Sequence, residues 1–159
     1  MATITLTISE YVDSKTNLTH FDIKQVAAGG ISGTTENRTL DWTYRDHKDG
    51  IFGSVKGKSR WVALKDVDDD DFLKTGWESA DGDFVQAYVE SNDNGWTANQ
   101  VSCCSPCYGG AKVGAELIGV VIQIWGFETV NEERRHTRHV VVRKGDDWKL
   151  ARLVYDYHG

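Results

Sequence analysis

Outside one segment, residues 101–123, nearly every stretch of the chain alternates apolar or aromatic residues with polar ones, and Gly, Asp and Asn punctuate the alternation at short intervals. A period of two sends successive side chains to opposite faces of a strand, so this pattern predicts antiparallel strands joined by tight turns. "TLDWTYRD" alternates Leu40, Trp42 and Tyr44, turns at Asp49-Gly50 and returns through "IFGSVKGKSRWVAL". "DGDFVQAYVES" is a strand entered through Asp81-Gly82, and Asn94-Gly95 is among the strongest short hairpin signals. "WGFETV", "RRHTRHVVVR" and "WKLARLVYDY" form two further hairpins around "NEE" and "KGDD". No amphipathic helix of ordinary length interrupts them. "DDDDFLKTGW" admits a short helix or turn whose first turn accepts acidic residues, and Asp68–Asp71 reads as a solvated loop, since the Gly and distal Glu of a calcium loop are missing.

A meander of this kind must expose two sheet edges or close on itself, and closure removes the edges. The expected fold is therefore all-β: an antiparallel up-and-down β-barrel of roughly eight to ten strands with an internal ligand cavity. The 159 residues fit one domain, 1–159, and 40% hydrophobic content with six Trp, six Tyr and five Phe is a globular composition. A net charge of −6 argues against nucleic acid as a partner. The chain carries no stretch that reads as a membrane span or a secretion signal, which points to a cytoplasmic protein.

Turn positions set strand register, and register sets which residues share a face. With the turn at "VNEE", Trp125 lies opposite Arg138, Phe127 opposite His136 and Glu128 opposite Arg135; with the turn at "KGDD", Arg138 meets Leu153, His136 meets Tyr155 and Arg135 meets Asp156. One face then carries Trp125, Phe127, His136, Arg138 and Tyr155. The other carries Glu128, Arg135, Asp156, His139 and Arg152, a row of opposite charges typical of a solvated surface, although Val141, Leu150 and Val154 share it. The aromatic face is taken as the inside. A two-residue turn at Asp49-Gly50 adds Trp42, Tyr44 and Trp61 to it, with Gly57 and Ser59 leaving room between the rings, and the Asp81-Gly82 turn adds Glu78.

An aromatic wall with a few convergent polar groups is the composition of a small-molecule site. The candidate catalytic residues are Arg138, to hold a carboxylate, phenolate or enolate oxygen, and His136 and Glu78, to move a proton. Trp42, Tyr44, Trp61, Trp96, Gln100, Trp125, Phe127 and Tyr155 are the candidate substrate-binding residues. The bland reading is a filled core in which Arg138 pairs with Glu78 and His136 donates to Tyr155; the expense of a buried Arg favours a ligand.

The segment 101–123 holds all three cysteines. Cys104 and Cys107 have redox or half-zinc spacing, but neither a βαβ setting nor further ligands accompany them, so no metal and no cofactor is expected. Deleting the segment joins "NGWTANQ" to "IWGFETV" in unbroken alternation, Trp96, Ala98, Gln100, Trp125, Phe127, which would pair Val89 with Gln100 and Ala87 with Trp125. It begins with Val, whose codons start GT, and ends with Gln, one of whose codons is CAG. Residues 101–123 thus read as an insertion or a translated intron. If they are genuine, "AELIGVVIQIWGF" extends the strand.

With that segment set aside, the run "NGWTANQ" plus "IWGFETVNEERRHTRHVVVRKGDDWKLARLVYDY" resembles the lipocalin-like (calycin) barrels, including small fungal proteins encoded beside secondary-metabolite genes. The resemblance implies either a cofactor-independent isomerase or cyclase acting on a polyketide- or terpenoid-type metabolite, or a non-catalytic carrier of a small hydrophobic ligand. The implied partner is a small hydrophobic or aromatic metabolite, with a homodimer also open to the chain. An α+β cone of the NTF2 type is the competing architecture. It needs N-terminal helices, whereas "TITLTISEYV" alternates like a strand.

Overall fold

The computed structural model describes residues 4–27, 35–49, 53–79, 81–92 and 119–157. Among them run nine strands: β1 Ile4–Val12, β2 Thr19–Ala27, β3 Thr35–Thr39, β4 Arg45–Asp49, β5 Gly53–Val62, β6 Phe84–Ser91, β7 Gly119–Val130, β8 Glu133–Lys144 and β9 Asp147–Tyr155. All pairings are antiparallel and all sheet neighbours are consecutive in the chain, so the meander read from the alternation is what forms. The described strands make two sheets, β1-β2-β3 and β4 through β9, rather than a closed barrel. The chain crosses between them at Leu40–Trp42, where the Leu40 N–H donates to the Thr19 carbonyl and the Trp42 N–H to the Ser59 carbonyl, each at 2.9 Å.

The six-stranded sheet is covered on both faces. On one, Phe21 and Ile23 of β2 pack with Val85 of β6 and Trp125 of β7, joined by Leu6 and Leu40. On the other, the connection from β5 to β6 folds back over the strands, and its Leu64, Val67 and Leu73 pack with Val62, Phe84, Ile122, Ile124 and Val141. Two short 3-10 turns, Leu64–Asp66 and Asp71–Lys74, shape that connection, and the Asp70 carboxylate caps the second by accepting the Phe72 N–H at 3.0 Å. Trp77 anchors its end, its Nε1–H donating to the Leu73 carbonyl at 2.9 Å while the ring lies 5.1 Å from Phe84. Close contact of these rings with β7 is possible because position 126 lacks a side chain. A Cβ there would stand 2.7 and 2.8 Å from Phe84 ring atoms and 2.9 Å from Trp77.

This second layer overturns the expectation that the Glu128–Arg135–Asp156 face is solvated. Glu128, Thr137 and His139 are all buried beneath the 63–77 connection, while Arg152 and the Arg135–Asp156 ion pair reach the surface. His139 is flanked by Phe72 and Trp77, with ring centroids 4.7 and 4.3 Å away. Its Nδ1–H donates to the Phe72 carbonyl at 2.9 Å. Nε2 is hydrogen-bonded to Glu128 Oε1 at 2.5 Å. Thr137 donates to the same oxygen at 3.0 Å and Arg152 pairs with Oε2. Burying a carboxylate is tolerable because each of its oxygens is engaged.

The hairpins β7–β8 and β8–β9 have the expected register: Trp125 opposite Arg138, Phe127 opposite His136, Arg138 opposite Leu153 and His136 opposite Tyr155. Asn131 and Glu132 both take positive φ, 52° and 66°, the conformation a two-residue hairpin turn requires. Two other registers differ. Asp49 pairs with Gly53, leaving three residues between them instead of two, so β4 is flipped relative to the expected faces. Val85, not Ala87, pairs with Trp125, and Ala87 pairs with Gln123; a shift of two residues leaves the faces unchanged. The first five residues of β7, Gly119–Gln123, belong to the segment read as an insertion, while 101–118, with Cys103, Cys104 and Cys107, lie outside the described residues.

Two substitutions test the covered second face. Gly126→Ala forces Phe84 and Trp77 to shift and is expected to lower stability by about 1–3 kcal/mol, read from urea unfolding midpoints. Glu128→Ala strands His139 and Arg152 and is expected to cost more, about 3–5 kcal/mol, in the same measurement.

Candidate functional site

Strand alternation presents two rows of side chains toward the three-stranded sheet: Trp125, Arg138 and Leu153 across β7, β8 and β9, and next to it Phe127, His136 and Tyr155. Phe21 of β2 reaches them from the opposite sheet, edge-on to Trp61 at 5.8 Å and tilted against Trp125 at 6.4 Å. His136 sits among rings, with centroids 5.2 Å from Tyr155, 5.7 Å from Phe127 and 6.4 Å from Trp125. From β3 come Glu36 and Arg38, whose alternation with Asn37 puts both on the same face as Phe21 and Ile23.

Arg138 is the anomaly of this face. It is only 6% exposed, and its Nε and one terminal nitrogen are buried with no hydrogen-bond partner among the described residues. Its guanidinium lies 3.9 Å from the Trp125 ring and 5.2 Å from that of Tyr155, so aromatic faces support the cation. Trp125 is itself held in place, its Nε1–H donating to Gln123 Oε1 at 3.1 Å. Burial draws the Arg138 pKa down, with Tyr155 and Glu36 opposing the shift and Arg38 adding to it. A guanidinium nonetheless stays protonated.

Its neighbours titrate away from charge. Burial, followed by repulsion from Arg138, lowers the His136 pKa from 6.5 to about 4, so the imidazole is neutral at pH 7. Burial raises the Tyr155 pKa, with Arg138 opposing and Glu36 assisting, and the phenol keeps its proton. The second guanidinium is already engaged. Arg38 Nε and its terminal NH2 both donate to Glu36 Oε2, at 3.1 and 2.6 Å, and its other terminal nitrogen donates to Ser59 Oγ across the sheets at 3.3 Å. A planar cation with free donors, bordered by rings, a neutral imidazole and a phenol, can hold and polarise one oxygen of an otherwise apolar molecule.

The structure gathers Arg138, His136, Trp125, Phe127 and Tyr155 on this face, with the half-exposed Trp61 at its margin. Three expected members are elsewhere. Glu78 is at the surface, its backbone N–H bonded to the Phe127 carbonyl and its carboxylate 2.8 Å from Arg134 Nε, because the chain before Asp81-Gly82 is not a strand and inherits no alternation. Trp42 and Tyr44 are on the opposite face: Tyr44, next to β4, follows the parity set by the three-residue β4–β5 connection, whereas Trp42, at φ 56°, precedes the strand; both rings face Lys58, at 4.3 and 4.4 Å, and Tyr44 donates to Glu90 at 2.8 Å. Trp96 and Gln100 lie outside the described residues. Four residues the sequence reading passed over are present: Phe21, Glu36, Arg38 and Gln123. The alternation of Phe21, Ile23 and Gln25 in "THFDIKQVA" is the signal that would have brought β2, and β3 beside it, to this face.

Comparison with known proteins gives two similarities. The chain is 29% identical over 149 residues to the probable pericyclase scpY of Mollisia scopiformis, covering 92% of this chain and 66% of that protein. It is 27% identical over 157 residues to the pericyclase pydY of an Acremonium species, covering 98% of this chain and 72% of that protein. The chain therefore spans about two thirds of the length of these relatives. No family model matches the chain, and no solved structure matches it.

Proposed function

We propose that the chain is a cofactor-independent cyclase of the pericyclase type, acting on a polyketide- or terpenoid-type metabolite bound between its two sheets. The observation that carries this reading is the unpaired, buried guanidinium of Arg138 on an aromatic face. The two pericyclase relatives support it. A pericyclic step exchanges π for σ bonds within the substrate and consumes neither proton nor electron pair from the protein. The protein's tasks are to fold the substrate and to stabilise the polarity of the transition state.

In this reading Trp125, Phe127, Phe21 and Trp61 hold the apolar chain in its reactive conformation. Arg138 donates to a carbonyl or enol oxygen of the substrate, drawing electron density from the conjugated system; such a donor supplies on the order of 3–4 kcal/mol when the charge it meets grows in the transition state. Tyr155, protonated, is a second donor. His136, neutral, borders the site without adding a competing charge.

Arg138→Met separates this reading from a filled core. Conversion of the uncyclised precursor, followed in a host that makes it, is expected to fall by about a hundredfold. Stability is expected to hold or rise by about 1–3 kcal/mol, since a buried guanidinium without partners is replaced by an apolar chain. Unchanged conversion would remove Arg138 from the chemistry, and precursor bound but never converted by the wild-type protein would make it a carrier. A second test uses pH. Because the folded His136 pKa of about 4 lies below its ordinary 6.5, the unfolded chain takes up a proton first on acidification. The His136 contribution to stability is present above pH 6.5 and is lost as pH falls towards 4. His136→Phe is expected to flatten that part of the stability profile, read as unfolding midpoints between pH 7.5 and 4.

A further inference from the structure

The charge of Glu36 acts on Arg138, yet among the described residues no hydrogen bond joins the carboxylate to the two unfilled nitrogens of that guanidinium. Arg38 explains why. It takes Glu36 Oε2 with two nitrogens, at 2.6 and 3.1 Å, and is tied at its other end to Ser59 on β5. The two guanidiniums flank one ring: Arg38 lies 5.5 Å and Arg138 3.9 Å from Trp125, so they are no farther apart than those two distances combined. Both members of the Arg38–Glu36 pair are largely buried. In such surroundings a carboxylate and a free guanidinium ordinarily close on each other with bidentate hydrogen bonds.

We propose that Arg38 is a positioning residue that withholds Glu36 from Arg138 and so keeps the Arg138 donors open for the substrate oxygen. The proposal rests on the reading of Arg138 as the substrate-binding cation. Arg38, Glu36 and Arg138, two cations and one carboxylate, together carry one surplus positive charge. That surplus matches one oxygen bearing partial or full negative charge. Without Arg38 the Glu36 carboxylate loses the partner that holds it, and Arg138, on which its charge already acts, is able to receive it. The pair that forms occupies the donors a ligand needs.

The test uses the whole chain labelled with 15N-arginine, the Arg138 Nε–H resonance assigned through Arg138→Lys, and 2-naphthoate as a probe that joins an apolar ring to a planar carboxylate. In Arg38→Met the Arg138 Nε–H resonance is expected to move downfield, as it does on bonding a carboxylate, and naphthoate affinity to fall about tenfold or more. The double variant Arg38→Met/Glu36→Gln is expected to return the resonance and to bring affinity within about threefold of wild type, a rescue that a merely structural Arg38 would not show. Glu36→Gln alone, which preserves shape, is expected to bind naphthoate at least as tightly as wild type, and it decides the matter if Arg38→Met does not fold. An unmoved resonance in Arg38→Met, a double variant as weak as the single, or weakened binding in Glu36→Gln each overturns the proposal. If Arg138→Met binds naphthoate like wild type, the substrate-binding reading fails, whereas the Arg138 resonance still reports whether Arg38 holds Glu36 away.

Discussion

Arg138 and His139 are neighbours on β8, and alternation sends their polar heads to opposite faces of a sheet that is covered on both sides. The two faces treat them differently. His139 has both ring nitrogens occupied, its partner Glu128 has both oxygens occupied, and two aromatic rings close the site from water. Arg138 keeps two nitrogens that no described residue fills. A buried polar group left unmatched costs on the order of 1–3 kcal/mol. The satisfied side has no such cost to relieve, and the proposed binding place lies on the unsatisfied side.

The rest of the architecture follows from making both sides possible. The connection between β5 and β6 must lie flat on the sheet to bury Glu128 and His139, and Gly126 allows it to approach. The opposite face cannot be sealed in the same way without filling the Arg138 site, and there the cover is a separate three-stranded sheet. That sheet touches through Phe21, Ile23 and Leu40 and brings a charged pair of its own, Glu36 and Arg38. A small sheet hinged at Leu40–Trp42 can border a ligand more readily than a tightly packed connection can.

Much of this was legible in the sequence, and the failures have definite causes. Where a tight turn fixed the register, as at Asn131–Glu132 and at Gly145, the pairing and the faces from Trp125 to Tyr155 follow from alternation alone. Where the turn was one residue longer than assumed, between Asp49 and Gly53, the parity of β4 reversed and took Tyr44 with it, while Trp42, at positive φ before the strand, escapes alternation altogether. Glu78 failed because 63–79 runs through 3-10 turns and irregular chain, where alternation has no meaning. The row Glu128, Arg135, Asp156 looked solvated because opposite charges on a sheet usually are. Val141, fully buried on that same face, was the sign that a second layer covers it. Glu36 and Arg38 were invisible for another reason: nothing in a single strand of mixed polarity tells which distant arginine it will face.

The chemistry that remains is unusually sparse in exchangeable protons. His136 is held neutral by burial and by the Arg138 cation beside it, and Tyr155 is held protonated by burial. General acid–base catalysis works best with a group whose pKa lies near the operating pH, and these two are pushed away from it in opposite directions. The face is accordingly poor at moving protons and well suited to polarising a single oxygen while rings hold a carbon skeleton. A reaction that redistributes π electrons within one folded molecule asks for those two capacities and for little else, which is why the unpaired arginine and the pericyclase relatives lead to the same reading.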